Sequence, residues 1–112
     1  MATTIITKQH DTKISFTDTP TIDGVPILLS ALTGCTVSFL LKNETVAIKQ
    51  TAVIQVDPDV PLQAQFKYDP VGTDVQTAGK YQQEWELVYP SGKILTFPNN
   101  GYNIVKILAD LG

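Results

Sequence analysis

The sequence contains few side chains that could act as a nucleophile or transfer a proton. It has one His and one Cys, so a nucleophilic Cys35 could use only His10 as its base. Cys35 precedes the apolar stretch that begins at Val37, where a small buried thiol is the commoner state. His10 is followed by Asp11, but adjacent strand residues point to opposite faces, which places the pair poorly for acid–base catalysis. We therefore expect no catalytic residue at these positions.

Four aspartates lie in two segments that read as loops: Asp57, Asp59, Asp69 and Asp74. Loop carboxylates can bind calcium, which takes six to eight oxygen ligands. The spacing of these aspartates matches no EF-hand loop, and Asp-Pro and Pro-Asp are ordinary turn dipeptides. We expect turns here and no metal site.

Glu84 and Glu86 form a second carboxylate pair, about 6.8 Å apart on one face of an extended strand. Paired carboxylates can hydrolyse glycosides, but a substrate cleft would need aromatic rings on the same face. Trp85 and the neighbouring tyrosines point the other way. We expect a solvated or partner-facing sheet surface, and no enzyme.

Composition excludes further functions. The chain has 112 residues with eight Lys, no Arg and eleven acidic residues, and its net charge is −3. Nucleic-acid binding rests on clustered basic residues, so no nucleic-acid partner is expected. A single Cys cannot form an intrachain disulfide, and one His with one Cys falls short of the four ligands of structural zinc. The sequence predicts no cofactor.

No targeting segment is expected. Met1–Thr7 lacks a basic region followed by an apolar stretch, and no window approaches the roughly 18 apolar residues of a membrane span. The free Cys35 suits synthesis in a reducing cytosol. We expect one domain over residues 1–112, not associated with a membrane, with residues 1–10 as a candidate flexible arm.

Alternation of apolar and polar residues indicates antiparallel strands that are buried on one face. It is clearest in Thr36–Leu41, Leu62–Tyr68 and Lys80–Tyr89, where only Gln83 breaks the apolar face. Further predicted strands are Lys13–Thr17, Val25–Leu29, Val46–Val56 with a bend or bulge at Gln50, and Ile94–Phe97.

The segment Ile104–Leu108 fits either an amphipathic helix that extends to Leu111 or a strand buried on both faces. We favour the strand, because a sandwich needs a partner for Ile94–Phe97. Turn signals separate the runs at Asp23-Gly24, Pro90-Ser91-Gly92 and Asn99-Asn100-Gly101. Short strands at this spacing indicate a β-sandwich or barrel. The expected core is Phe16, Val37, Phe39, Ile54, Phe66, Tyr81, Trp85, Leu87 and Phe97.

Motifs near the C-terminal end of the chain resemble a known family. The first motif has the pattern G-x-Y-x-x-E-W-x-h, where h is apolar, and consists of Gly79-Lys80-Tyr81-Gln82-Gln83-Glu84-Trp85-Glu86-Leu87. A glycine hairpin follows, and then the pattern h-T-F-P at Leu95-Thr96-Phe97-Pro98. Upstream, Lys13-Ile14-Ser15-Phe16 is followed by Leu32-Thr33-Gly34-Cys35-Thr36-Val37-Ser38-Phe39, an L-x-G-x-x-V-x-F element. Over about residues 11–108 the chain is similar to the N-terminal Ig-like domain of upper baseplate proteins from tailed bacteriophages of Gram-positive hosts.

This resemblance implies an all-β, Ig-like antiparallel β-sandwich of about seven or eight strands. It also implies a structural component of a phage virion, whose partners are other tail or baseplate proteins or further copies of itself, and it brings no catalytic residues. The helical stalk that follows the domain in the family has no counterpart before Gly112. A tail or baseplate accessory protein, similar also to shoulder domains of phage receptor-binding proteins, is therefore expected in preference to a receptor binder.

The alternative function is a carbohydrate-binding module that recognises a polysaccharide of the host cell surface. Such a module needs an exposed aromatic platform, and the candidates are Tyr68, Tyr89 and Tyr102.

Overall fold

The computed structural model describes residues 4–11, 13, 15–98 and 101–109. Within them the chain forms eleven strands and two short 3₁₀ helices, at Leu29–Leu32 and Gly72–Val75. The strands are β1 (Thr4–Lys8), β2 (Phe16–Asp18), β3 (Thr21–Ile22), β4 (Val25–Pro26), β5 (Thr36–Lys42), β6 (Ala47–Thr51), β7 (Val53–Val56), β8 (Ala64–Tyr68), β9 (Gly79–Val88), β10 (Ile94–Phe97) and β11 (Asn103–Leu108).

The strands are arranged in two main sheets. The larger sheet has the order β1-β11-β9-β5-β6, with β10 paired to β9, and the smaller sheet has the order β2-β8-β7. Strands β3 and β4 form a separate hairpin. The described strand pairs are antiparallel except β1 with β11, which run parallel from Thr4 opposite Ile104 to Lys8 opposite Leu108. This is an all-β sandwich, so the fold class predicted from the sequence is confirmed, although the described residues form eleven strands where about seven or eight were expected.

The core lies between the two sheets and contains the residues expected to fill it. Only Ile54 of that set is half-buried, and it packs against the others. Phe39 stacks on Tyr68 with ring centroids 4.5 Å apart and meets the edge of Trp85 at 5.3 Å. Aromatic pairs of this kind add about 0.5–1.5 kcal/mol beyond the area they bury.

A tyrosine fixes the corner where the chain enters β9. The hydroxyl of Tyr81 donates a hydrogen bond to the carbonyl of Thr77 over 2.7 Å, the arrangement called a tyrosine corner in Ig-like domains. Burial raises the pKa of this phenol above its usual value. The contact holds the start of β9 against the turn before it.

Gln83, the residue that interrupts the apolar alternation, is buried in a polar network between the sheets. Asn103 Nδ2 donates to Gln83 Oε1 over 2.8 Å and to Asp18 Oδ2 over 3.3 Å. Gln83 Nε2 in turn donates to the carbonyl of Glu84. Because Asp18 belongs to the smaller sheet, this network connects the two sheets.

The expected strand Val46–Val56 is divided between the two sheets. The predicted bend at Gln50 is wrong, since the break falls at Ala52, between β6 of the larger sheet and β7 of the smaller one. The N–H of Ala52 donates to the carbonyl of Val37, which satisfies the backbone where the chain crosses over.

Two other predicted strands shift. The strand expected at Val25–Leu29 is shortened to β4, Val25–Pro26, followed by a single bridge between Leu28 and Gln63 before the 3₁₀ helix at Leu29–Leu32. Pro26 has no N–H with which to continue the β3–β4 ladder. The strand expected at Lys13–Thr17 is β2, Phe16–Asp18. The predicted turn residues Asn99 and Asn100, and Leu111, lie outside the described residues.

The interpretation of Ile104–Leu108 as a strand is confirmed, but its partner differs from the expected one. Strand β11 pairs with β9 and β1, while β10 pairs with β9 further along. Phe97 lies opposite Trp85 and Asn103 lies opposite Gln83, so β10 and β11 pair with successive parts of β9. Within the segment expected to be an N-terminal arm, β1 completes the edge of the larger sheet.

Candidate functional site

The candidate nucleophile and base lie far apart. His10 is exposed just after β1, and the half-buried Cys35 lies just before β5. Strands β11 and β9 lie between β1 and β5, a separation of about 14 Å at the usual strand spacing. Because β1 and β5 run in the same direction, the two residues also lie at opposite ends of the sheet. This geometry does not bring His10 to the Cys35 thiol.

The loop aspartates organise turns. Asp57 Oδ1 accepts the N–H groups of Asp59 at 2.9 Å and Val60 at 3.3 Å, and Oδ2 accepts the hydroxyl of Thr19 at 3.0 Å. The Asp59 N–H, with smaller contributions from Thr19 and Val60, holds the pKa of Asp57 below its usual value against the opposing effect of burial. The predicted turn is therefore found at this position.

The side chains of Asp74 and Asp69 accept hydrogen bonds from other segments. Asp74 Oδ2 accepts the hydroxyl of Tyr68 and the N–H of Val71, and Asp69 accepts the hydroxyl of Ser15. Among the residues that the structure describes, no group of three or more His, Cys, Asp or Glu side chains is placed to hold a metal ion.

Glu84 and Glu86 lie on the outer face of the larger sheet, and Trp85 points into the core, as their alternation predicts. Glu86 Oε1 accepts a hydrogen bond from Lys49 Nζ at 3.0 Å. One carboxylate of the pair is thus engaged in a surface ion pair.

The three tyrosines expected to form an aromatic platform are separated. Tyr68 is 8% exposed and belongs to the core, and Tyr89 is half-buried. Tyr102 is 41% exposed, immediately before β11. A platform of several rings is therefore not formed by these residues.

Tyr102 instead lines a groove of about 430 Å³ at one end of the larger sheet, here called the Tyr102 groove. The β5–β6 turn, the start of β9 and Tyr102, just before β11, form its walls. The lining residues are Lys42, Asn43, Glu44, Lys80, Tyr81, Gln82 and Tyr102. Its surface therefore carries one exposed aromatic ring, two ammonium groups and several hydrogen-bonding groups.

A second surface is apolar. Leu28, Val56, Val60 and Leu62, here called the Leu62 patch, are exposed where the β7–β8 turn meets the residue before the first 3₁₀ helix. The N–H of Leu29 donates to the carbonyl of Leu62 over 2.8 Å, and Leu28 forms a bridge with Gln63. These bonds hold the two segments side by side.

Leu62 itself is both exposed and strained. Its side chain is 74% exposed and its φ is +77°, in the left-handed region that a branched side chain rarely adopts. Sequence reasoning missed this, because Leu62 continues the apolar alternation of β8 and was expected on its buried face. The strand begins only at Ala64, and Leu62 lies in the turn before it.

No protein-family model matches the chain, and no curated protein matches its sequence. Among the residues that the structure describes, no helix has the length and apolar character needed to cross a membrane. Fold and surfaces define a class, an all-β sandwich domain that presents a polar groove and an apolar patch.

Proposed function

We propose that this protein is a structural adaptor of a phage tail or baseplate that acts through protein–protein interfaces. The observation that carries the interface role is the exposed, left-handed Leu62. The phage setting is supported by the motif resemblance around Tyr81, Trp85 and Phe97.

The strain and the exposure of Leu62 both cost free energy in the isolated domain. A left-handed residue other than glycine costs about 1–3 kcal/mol, and strain of this kind is concentrated at functional positions. Exposed apolar side chains grouped in a patch are typical of protein interaction sites. A partner that covers Leu62, Val60 and Leu28 would bury the patch in a pocket of its own surface.

The charges around the patch favour a different protein over a second copy as the partner. Asp57 and Asp59 lie in the same turn as Val60 and Leu62. A twofold dimer through the patch would bring these carboxylates near their own copies, which is unfavourable. A tail or baseplate protein with an apolar pocket and a basic rim is complementary to the Leu62 patch and the carboxylates beside it.

The backbone beside the patch offers a second contact. Strand β7 is an edge strand of the smaller sheet, and a partner strand could pair with its outer edge.

The test uses the substitution Leu62→Asn, because asparagine tolerates a left-handed φ and is polar. The chain is co-expressed with the products of the genes that flank its own, and complexes are identified by size-exclusion chromatography with light scattering. We expect a defined complex with one such product, weakened at least about tenfold by Leu62→Asn, which equals about 1.4 kcal/mol. The melting temperature of the free variant should equal or exceed that of the wild type.

The matched control is Ile94→Asn, an exposed apolar residue on the larger sheet, which should leave the complex intact. The adaptor proposal fails if Leu62→Asn binds as tightly as the wild type. It also fails if no flanking product associates with the chain.

A second candidate function is carbohydrate binding, and the Tyr102 groove is the observation that favours it. Isothermal titration calorimetry with a cell-wall polysaccharide of the host, with and without calcium, tests this function. Heat of binding that Tyr102→Ala abolishes would support it, and an absence of heat for the wild type would contradict it.

A further inference from the structure

We propose that the Tyr102 groove, together with Lys106 beside it, binds an anionic oligosaccharide, with a sugar ring against Tyr102 and its acidic group on the lysines. The inference rests on the carbohydrate-binding candidate above and is independent of the adaptor interface at the Leu62 patch.

The first observation is a pair of like charges in register. Lys80 on β9 lies directly opposite Lys106 on β11, and both side chains are exposed on the outer face of the larger sheet. Like charges directly opposite each other on antiparallel strands are destabilising. The ion pairs found within the described part of the chain are Lys49–Glu86 and Lys67–Asp69, so neither Lys80 nor Lys106 is neutralised there.

A third ammonium group adds to this pair. Lys42 on β5 lies opposite Gln82 on β9. It is therefore on the strand next to that of Lys80, displaced by two residues along the sheet. Glu44 is the one carboxylate among the residues that line the groove. The lysines therefore outnumber the nearby acids, and an anion placed over Gln82 would relieve their repulsion.

This positive region contrasts with the net charge of −3. Five of the eight lysines lie on strands of the larger sheet: Lys8, Lys42, Lys49, Lys80 and Lys106. Two acidic residues share the outer face of this sheet, Glu84 and Glu86, and Glu86 is paired with Lys49. The described aspartates lie in β2, in the second 3₁₀ helix and in loops. The excess of lysines on this face raises the local concentration of anions there.

The groove is also rigid and has the groups that a sugar needs. Asn43 Oδ1 accepts the N–H groups of Thr45 at 2.9 Å and Val46 at 2.8 Å, which fixes the β5–β6 turn, and Tyr81 is held by its bond to Thr77. Gln82 and Asn43 supply amides for hydroxyl groups, and Glu44 can accept from them. The lysines supply charge-assisted hydrogen bonds to a carboxylate or phosphate.

An oligosaccharide fits this site better than a single-stranded nucleic acid does. Nucleic-acid grooves combine several stacking rings with a continuous basic track, whereas this groove has one exposed ring and the chain has no Arg. The volume of about 430 Å³ lies within the range of small-molecule sites.

The test is calorimetric titration of the full chain at low salt with three probes. These are oligogalacturonate, which carries carboxylates, and maltodextrin in phosphorylated and in unmodified form, which differ only in the phosphate groups. We expect at least one anionic probe to bind and the unmodified maltodextrin to bind at least about tenfold more weakly. The double substitution Lys80→Gln, Lys106→Gln should weaken anionic binding at least about tenfold, as should Tyr102→Ala.

The double substitution Lys67→Gln, Lys93→Gln is the matched control, since it removes the same two positive charges away from the groove, and it should leave binding unchanged. The melting temperature of the Lys80→Gln, Lys106→Gln variant should equal or exceed that of the wild type, because a repulsion has been removed. This readout separates loss of the site from loss of the fold.

Three results would overturn the inference. Equal binding of both maltodextrins, unaffected by the lysine substitutions, would remove the anionic specificity and leave carbohydrate binding standing. Absence of binding by all three probes would contradict both the anionic specificity and the carbohydrate-binding function, and it would leave the adaptor proposal untouched. Equal binding of an acidic peptide or a single-stranded oligonucleotide, with the same loss on Tyr102→Ala, would show a general polyanion site.

Discussion

Tyr68 of β8 and Asp74 of the second 3₁₀ helix are joined by a hydrogen bond, in which the phenol hydroxyl donates to Oδ2 of the carboxylate. The same carboxylate oxygen accepts the N–H of Val71 and so fixes the second 3₁₀ helix. Burial first, and then the bond to Asp74, raise the pKa of Tyr68 far above its ordinary value of 10. The attachment of the second 3₁₀ helix to the core therefore depends on the protonation state of the Tyr68 hydroxyl.

Alkaline conditions should therefore destabilise the fold through Tyr68. A phenol whose pKa is raised by folding stabilises the protein below the pKa of the unfolded chain, near 10, and this contribution is lost as the pH rises above it. The free energy of unfolding in urea should fall between about pH 9 and pH 11.5, and more steeply in the wild type than in Tyr68→Phe. Some slope should remain in Tyr68→Phe, because the pKa of Tyr81 is raised as well. Identical slopes in the two proteins would contradict this role of Tyr68.

Acidic conditions should act through Asp57. Its pKa is lowered in the folded protein, so its contribution to stability is present above the ordinary value of 3.8 and is lost as the pH falls below it. Asp57→Asn should reduce the fall in the urea midpoint between about pH 5 and pH 2.5. Asp59→Asn, which changes an exposed side chain in the same turn, is the control and should keep the wild-type slope. An Asp57→Asn profile as steep as the wild type would exclude this contribution.

Trp85 should be the most costly single truncation in the core. It is 1% exposed and lies between Phe39 and Phe66, so Trp85→Ala should cost about 3–5 kcal/mol in urea unfolding. Trp85→Phe should cost less, partly because Nε1 is buried and finds no hydrogen-bond partner in the described part of the chain. A loss below 1 kcal/mol for Trp85→Ala would be incompatible with its place in the core.

The buried amides should show strong coupling. Gln83→Leu or Asn103→Leu alone should cost about 1–3 kcal/mol, because each breaks the hydrogen bond between the two buried amides. The double variant should cost less than the sum of the two single ones, since both polar groups are then removed together. Urea unfolding of all four proteins measures the coupling, and strictly additive costs would show that the two amides act independently.

The alternation of apolar and polar residues was sufficient to predict those strands that have one face in the core and the other face in solvent. From Tyr81 to Leu87 every second residue is buried, and the turn with Gly92 in a left-handed conformation follows as expected. The division at Ala52 was not predictable in this way. Both halves of Val46–Val56 are apolar at alternate positions, and this pattern does not encode which sheet each half joins.

The two surfaces were harder to predict than the fold. The juxtaposition of Lys80 and Lys106 depends on the register between β9 and β11, which no local pattern specifies. The left-handed conformation of Leu62 had no signal either, because glycine or asparagine normally marks such a position. Tyr102 was identified from its residue type, but the groove beside it depends on the topology that brings the β5–β6 turn and the start of β9 next to it.

The parallel pairing of β1 with β11 also determines how the domain would bear mechanical load. Thr4 and Leu108 lie at opposite ends of this pair, because the two strands run in the same direction. Tension applied at these residues would pull the strands past each other along their axes, and the hydrogen bonds between them would resist together instead of opening one after another. In that geometry the edge of the larger sheet acts as a shear clamp.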